Sequence, residues 1–246
     1  LITIQTATAQ RVIVLVIDGA RYSESFGAES TYMPKIWKNM KPAGTLWSNF
    51  RNEGTTSTNP GHASIITGTW QTIDNNGNNR PTMPTVFEYF RKQIGTDTST
   101  MYVAVGKPKL NVLTYSSHSD YGVNYKASQF IGSSDATAYN GVVTIMNTKR
   151  PRLMLINFPT VDVVGHTGNW NNYLNAIRVA DSLTYELWKK IQADSIYKDS
   201  TTLLITNDHG RHDNSHGGFQ NHGDACEGCR HIMLLAVGRG FLAGKI

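Results

Sequence analysis

RVIVLVI, residues 11–17, decides the fold, and it runs directly into Asp18-Gly19. The run is continuously apolar and rich in β-branched residues, with no polar alternation. That pattern fits a strand covered on both faces, as in a parallel sheet. Residues 101–105 (MYVAV), 153–158 (LMLINF), 202–206 (TLLIT) and 232–237 (IMLLAV) repeat it along the chain.

Helical patterns lie between these runs. Residues 172–193 carry Leu174, Ile177, Ala180, Leu187 and Ile191 at helical spacing, with Leu183 or Tyr185 filling the same face. Residues 85–92 predict a helix capped by Thr82 or Thr85. Residues 33–40 have the spacing of a short helix. Residues 63–67, small and just past the Asn59-Pro60-Gly61 turn, suit a helix start packed close to a sheet. Residues 72–81, rich in Asn and Gly, predict a loop. Strands alternating with helices imply an α/β fold: a mostly parallel central sheet flanked by helices on both faces.

Such sheets bind ligands beyond the carboxyl ends of their strands. Asp18, Asp162 and Asp208 all follow apolar runs and fall at those ends. Packing alone has no use for three carboxylates there. Asp208-His209-Gly210 offers a carboxylate and an imidazole, with Gly210 to permit the bend. Both groups are ordinary zinc ligands. Asp162 and His166, four apart, share a face of one helical turn or converge around Gly165. His222 is the choice among the C-terminal histidines to complete this second set, with His216 the alternative. His212 and Asp213 are candidates for outer support.

A hydroxyl nucleophile is available in TTSTNPGH. At a helix start, backbone N–H groups favour negative charge on both an alkoxide and an incoming phosphate. Thr55, Thr56, Ser57 and Thr58 compete for the role on composition alone. A threonine hydroxyl needs a metal or a base to become nucleophilic. Asn75 and Asn76 offer amide donors or, equally, a turn.

At 246 residues the chain suits one domain, residues 1–246, with residues 108–138 forming loops and an excursion over the active site. Composition excludes disorder and coiled coil as the main state. No apolar run approaches the ~20 residues of a membrane span. The formal charge of +5 is scattered, so specific nucleic-acid recognition is not expected. Cys226 and Cys229, in CEGC, predict a local disulfide in an exported protein; a zinc site would need four ligands, and His231 supplies only one more. LITIQTATAQ, residues 1–10, fits the stub of a cleaved export signal. Periplasmic or secreted localisation follows, with a cytoplasmic one as the alternative.

Taken together, the chain resembles the alkaline phosphatase superfamily, and most of all its nucleotide pyrophosphatase/phosphodiesterase branch. The matching pieces are VIDG at Asp18, Thr58-Asn59-Pro60-Gly61-His62 with SIITG after it, DVVGH at Asp162–His166, TNDHG at Asp208–His209, and the late HG before the last strand. The resemblance implies two divalent metals, typically zinc and in some branches manganese. Asp18, Thr58, Asp208 and His209 would hold one, and Asp162, His166 and His222 the other. Thr58 would be the nucleophile, passing through a phosphothreonine, and Asn75 would contact a phosphoryl oxygen. The implied activity is hydrolysis of phosphodiesters or nucleotide pyrophosphates. Phosphomonoesters or phosphonates, phosphoethanolamine-type transfer and a non-catalytic metal-binding module are the alternatives. The sulfatase nucleophile signature is missing, and the serine of the phosphomutase branch is replaced by Thr58, which argues against mutase activity.

Overall fold

Alternate residues of the first apolar run leave its strand on opposite sides, and each side meets its own helices. The computed structural model describes residues 10–245. Residues 1–9, which hold most of the segment read as an export-signal stub, lie outside the described residues. The strands are β1 (Arg11–Ile17), β2 (Gly44–Arg51), β3 (Met101–Val105), β4 (Ser128–Ile131), β5 (Leu153–Phe158), β6 (Thr201–Thr206) and β7 (His231–Gly238). They form one sheet in the order β2-β7-β6-β1-β5-β3-β4. The five strands from β6 to β4 run parallel, while β7 is antiparallel to β6 and β2 to β7. The sheet is therefore mostly parallel, as the apolar runs predict.

The helices are α1 (Thr58–Thr67), α2 (Val86–Ile94), α3 (Asp135–Lys149), α4 (Thr160–Gly165), α5 (Trp170–Ala193) and α6 (Glu227–Arg230). Ile13, Leu15 and Ile17 of β1 pack with Val142 of α3 and Ile177 of α5. Val16 packs on the other side with Ala63 and Ile66 of α1 and Phe87 of α2. Helices thus cover both faces, and one buried methyl-rich side chain contributes about 1.5–3 kcal/mol to either layer.

Local chemistry sets the helix ends. Thr85 caps α2 reciprocally: its side chain accepts from the Glu88 N–H, and the Glu88 carboxylate accepts from the Thr85 N–H. The helix expected at residues 63–67 starts earlier, at Thr58, because Pro60 sits in the first turn where no N–H is needed. The short helix expected at residues 33–40 is reduced to a π-turn at Ile36–Met40, whose start is held by the Asp181 carboxylate accepting from the Lys35 and Ile36 N–H groups.

Residues 108–138 form 3-10 turns at Pro108–Thr114 and Gly122–Tyr125, then β4, which extends the sheet beside β3. Among the described residues no helix is long and apolar enough to cross a membrane.

Candidate metal centre

Four neighbouring parallel strands, β6-β1-β5-β3, end on one edge of the sheet, and each delivers a charged side chain there. Asp18 follows β1, Asp208 follows β6, Asp162 lies in α4 just after β5, and Lys107 follows β3. Asp18, Asp208 and His209 are buried. Thr58 opens α1 over the same edge. Helix α1 comes so close that a Cβ on Gly61 would stand 2.5 Å from the Asp208 carbonyl oxygen. Gly19, at φ +66, lets the chain turn away from Asp18 where any side chain would strike Asp162.

The first donor set is Asp18, Asp208, His209 and Thr58. His209 Nε2 lies 3.6 Å from Asp18 Oδ1 and 3.4 Å from Asp208 Oδ2. Thr58 Oγ1 lies 3.4 Å from Asp18 Oδ1. His209 Nδ1 donates to the Gly210 carbonyl at 2.8 Å, so Nε2 carries the lone pair. Asp208 Oδ2 and His209 Nε2 are both buried without a hydrogen bond. Nδ1 of His62 is 3.0 Å from Asp208 Oδ2, yet its proton goes to the Thr58 carbonyl at 2.8 Å. A pair of buried orphans facing one point is costly unless a cation satisfies both.

The second set is Asp162, His166 and His222. Their donor atoms form a triangle: His166 Nε2 to His222 Nε2 3.2 Å, His166 Nε2 to Asp162 Oδ1 3.3 Å, and His222 Nε2 to Asp162 Oδ1 3.4 Å. With zinc–ligand bonds of roughly 2.0–2.1 Å, tetrahedral neighbours stand roughly 3.3 Å apart. Both donor sets have that spacing, so the residues present fit two divalent ions. His222 Nδ1 donates to the Thr56 carbonyl at 2.9 Å, which again leaves Nε2 as the free electron pair. His216, the alternative to His222, is instead paired with Asp213 at 2.7 Å.

Lys107 occupies the space between the two sets. Its Nζ lies 2.9 Å from Asp18 Oδ2, 2.7 Å from Asp162 Oδ2 and 3.3 Å from Thr58 Oγ1. Burial alone would raise the Asp18 carboxyl. The Lys107 ammonium, with His209 and His62, outweighs burial and the like charge of Asp162, and holds Asp18 well below the usual carboxylate range. Burial likewise opposes ionisation of Asp162, but His166, His222 and Lys107 keep it well below that range. Burial works against the Lys107 charge, and the two carboxylates reverse the sign, raising it above an ordinary lysine. His222 is lowered by burial. Arg211 is fully buried and donates to Asp162 Oδ1 at 2.5 Å. Three carboxylates against Lys107 and Arg211 leave one formal negative charge, so a single divalent ion already makes the centre cationic.

Asn157 ties the layers together. Its Nδ2 donates to Asp18 Oδ2 at 3.0 Å and lies 3.1 Å from His62 Nε2. Asn75 lies beside Thr58, where its Oδ1 accepts from the Asn59 N–H and from Lys109 Nζ, each at 3.0 Å. Asn76 is exposed. Asn157, His62 and Arg211 have roles that the sequence does not assign, while Lys107, in the sequence a candidate cation alongside Arg80 and Lys109, is placed in the centre only by the fold. A signal existed for Asn157, the one polar residue in a fully buried strand, and for Lys107, which follows a strand as the aspartates do.

The cysteine expectation needs correction. Cys226 and Cys229 are free thiols, both buried. Each sits within reach of histidine and carboxylate ligand atoms. His231 is elsewhere, stacked on Tyr22 at 3.7 Å.

Comparison with known proteins gives the family and the fold. A phosphoglycerate mutase of the 2,3-bisphosphoglycerate-independent type from Legionella pneumophila (strain Corby) is 25% identical over 100 residues, 41% of this chain and 18% of the mutase. The same kind of enzyme from Gracilaria tenuistipitata var. liui is 34% identical over 71 residues, 29% of this chain and 13% of that one. The matched segments thus span less than a fifth of these mutases. Among solved structures, an alkaline phosphatase superfamily protein from Vibrio parahaemolyticus superposes with a TM-score of 0.70 at 12% identity, over 98% of this chain and 62% of that one. The C-terminal periplasmic domain of EcEptC from Escherichia coli gives 0.66 at 14% identity, over 96% and 74%. The family model of the Metalloenzyme superfamily matches residues 10–224. With that match over most of its length and an alkaline phosphatase-like sheet beneath its strand-end carboxylates, the chain belongs to the Metalloenzyme superfamily.

Proposed function

We propose that the chain is a metal-dependent phosphoric ester hydrolase with Thr58 as nucleophile. The observation that carries this is the position of Thr58 Oγ1, at the start of α1, 3.4 Å from a carboxylate oxygen that shares its donor set with two buried, unpaired ligand atoms. Asp18, Thr58, Asp208 and His209 would hold one divalent ion, and Asp162, His166 and His222 a second, with zinc the metal favoured where imidazole nitrogen joins carboxylate oxygen, as it does in both sets, and manganese the alternative. Bound there, the ions would supply Lewis-acid charge that favours a threonine alkoxide and a departing oxyanion.

The chain's own residues do the rest. Asp18 and Lys107 flank the Thr58 oxygen and fix its direction. Thr58 attacks phosphorus, the P–O bond to the leaving alcohol breaks, and a phosphothreonine forms. Water then cleaves that ester and returns free Thr58. The Thr58 N–H at the helix start and the Asn75 amide face the charge that gathers on the phosphoryl oxygens. Arg211 holds Asp162 in place from behind.

A diester reading follows from the family branch and from the neutral Asn75. The position of Lys107 and of Lys109, whose Nζ reaches Asn75, favours a second reading: a dianionic monoester or a phosphonate, which gains more from nearby ammonium groups. Turnover of an aryl monophosphate and of a bis-aryl phosphodiester by one metal-analysed sample decides between them. Retention of full turnover by Thr58→Ala would overturn the hydrolase scheme for both. An exported location is part of this proposal and is supported by the fold shared with a periplasmic domain.

A further inference from the structure

The loop between β6 and β7 carries a third group of ligand-type side chains, none of them among the two donor sets around Thr58. His212, Asp224 and Cys229 each place one ligand atom so that the three lie within 4.8 Å of one another. His212 Nε2 is 3.3 Å from Asp224 Oδ2, yet it is buried and makes no hydrogen bond. Asp224 Oδ1 accepts the Cys226 N–H at 2.9 Å, which turns Oδ2 toward the histidine. The Cys229 sulfur lies with the His212 and Asp224 ligand atoms, and Cys226 caps the short helix α6 that carries Cys229. Cys229 is fully buried and Cys226 nearly so.

We propose that His212, Asp224, Cys226 and Cys229 bind a structural zinc ion. His212, Asp224 and Cys229 already stand together, and the Cys226 thiol, three residues before Cys229, would complete a tetrahedral set of one imidazole, one carboxylate and two thiols, with no position left for substrate. Thiolate sulfur selects zinc over magnesium, calcium or manganese. As each zinc–sulfur bond forms, the thiol releases its proton to solvent; no oxidation is involved. Asp213 and His216 also approach Cys226, but they are taken up by each other and by the Ser215 and His216 N–H groups.

The site would brace one loop. Gly210 N–H donates to the Cys229 carbonyl, Arg211 N–H to Gly228, and His212 N–H to Asn221. Between those ties the loop carries Arg211, which grips Asp162, and His222, which faces the second donor set. A zinc ion at its base would fix both.

The inference does not depend on the proposed reaction, and its test separates the two. Cobalt(II) replaces zinc and shows a sulfur-to-cobalt charge-transfer band only where thiolate is a ligand; the oxygen and nitrogen donors around Thr58 cannot produce it. The cobalt-loaded wild type is expected to show the band, and so is Thr58→Ala. Cys226→Ser/Cys229→Ser is expected to lose it and to bind one metal fewer per chain by elemental analysis. Should the double variant fail to fold, the wild-type spectrum still decides. A cobalt-loaded wild type with free thiols and no such band overturns the proposal. So does purified protein, prepared without reductant, whose two thiols are joined as a disulfide.

Discussion

His166 and His222 point their Nε2 atoms at each other across 3.2 Å. One comes from the end of α4, the other from the loop before β7, and 56 positions of chain separate them. Two imidazole nitrogens hold that approach comfortably when a cation lies beside both. Replacing His222 by Ala therefore lowers metal affinity at this position, and equilibrium dialysis should show fewer metals per chain with Asp18, Asp208 and His209 still loaded.

Thr58→Ala is expected to reduce kcat on the order of 10³-fold or more, since it removes the hydroxyl proposed to make the covalent bond. Thr58→Ser should keep measurable turnover. Acid-quenched wild type incubated with substrate should carry phosphate on Thr58 by mass spectrometry, and a labelled peptide from another position would assign the nucleophile elsewhere.

Removing Lys107 exposes Asp18 and Asp162 to one another. In Lys107→Met the metal-free protein is expected to lose about 3 kcal/mol or more of stability, as for other buried charges stripped of a partner. Saturating zinc should recover most of that. Thermal melts of wild type and variant, with and without metal, measure the difference; equal losses in both states would mean that Lys107 acts only by packing.

Outer support should matter as well. Asn157→Ala is expected to weaken metal binding about 10–100-fold, because it releases Asp18 and His62 together. Competition with a chromophoric chelator reads this directly.

Asp194 contributes to acid stability far from the centre. Burial pushes the Asp194 carboxyl up, but Lys190 and Arg150 outweigh it and bring it from its ordinary 3.8 to about 2. A carboxyl depressed in the folded state stabilises above its unfolded value, and that contribution fades as pH falls from about 4 to about 2. Asp194→Asn should flatten this part of the stability curve while leaving the neutral-pH slope unchanged, as followed by urea denaturation across that pH window.

The apolar runs made the parallel strands legible because nothing but burial on both faces explains RVIVLVI or LMLINF. Strand β2 was harder. Its sequence GTLWSNFR mixes polar and apolar residues, and its pairing with β7 slips between Trp47 and Phe50, so neither strict alternation nor a continuous run marks it. Helix α3 hides for a similar reason: DATAYNGVVTIMNTK is rich in threonine, asparagine and β-branched residues, and packing on the sheet stabilises what propensity does not. Strand ends pointed to Asp18, Asp162 and Asp208. The cationic partners, Lys107 and Arg211, were not placed, because the direction of a long flexible side chain is set by tertiary contacts and leaves no period in the sequence. The sequence likewise did not bring His212 and Asp224 to the cysteines, since the loop closes through backbone bonds that any residue could make.

Gly61 has no side chain, and the distance between a hydroxyl and a carboxylate depends on that. A Cβ there would stand 2.5 Å from the Asp208 carbonyl oxygen, so the helix that bears Thr58 sits too low on the sheet for any side chain at this position. A single methyl group at this position would wedge the helix upward and carry the threonine oxygen out of reach of its neighbours. The proposed reaction is thus a matter of altitude, set by a hydrogen atom three residues downstream of Thr58.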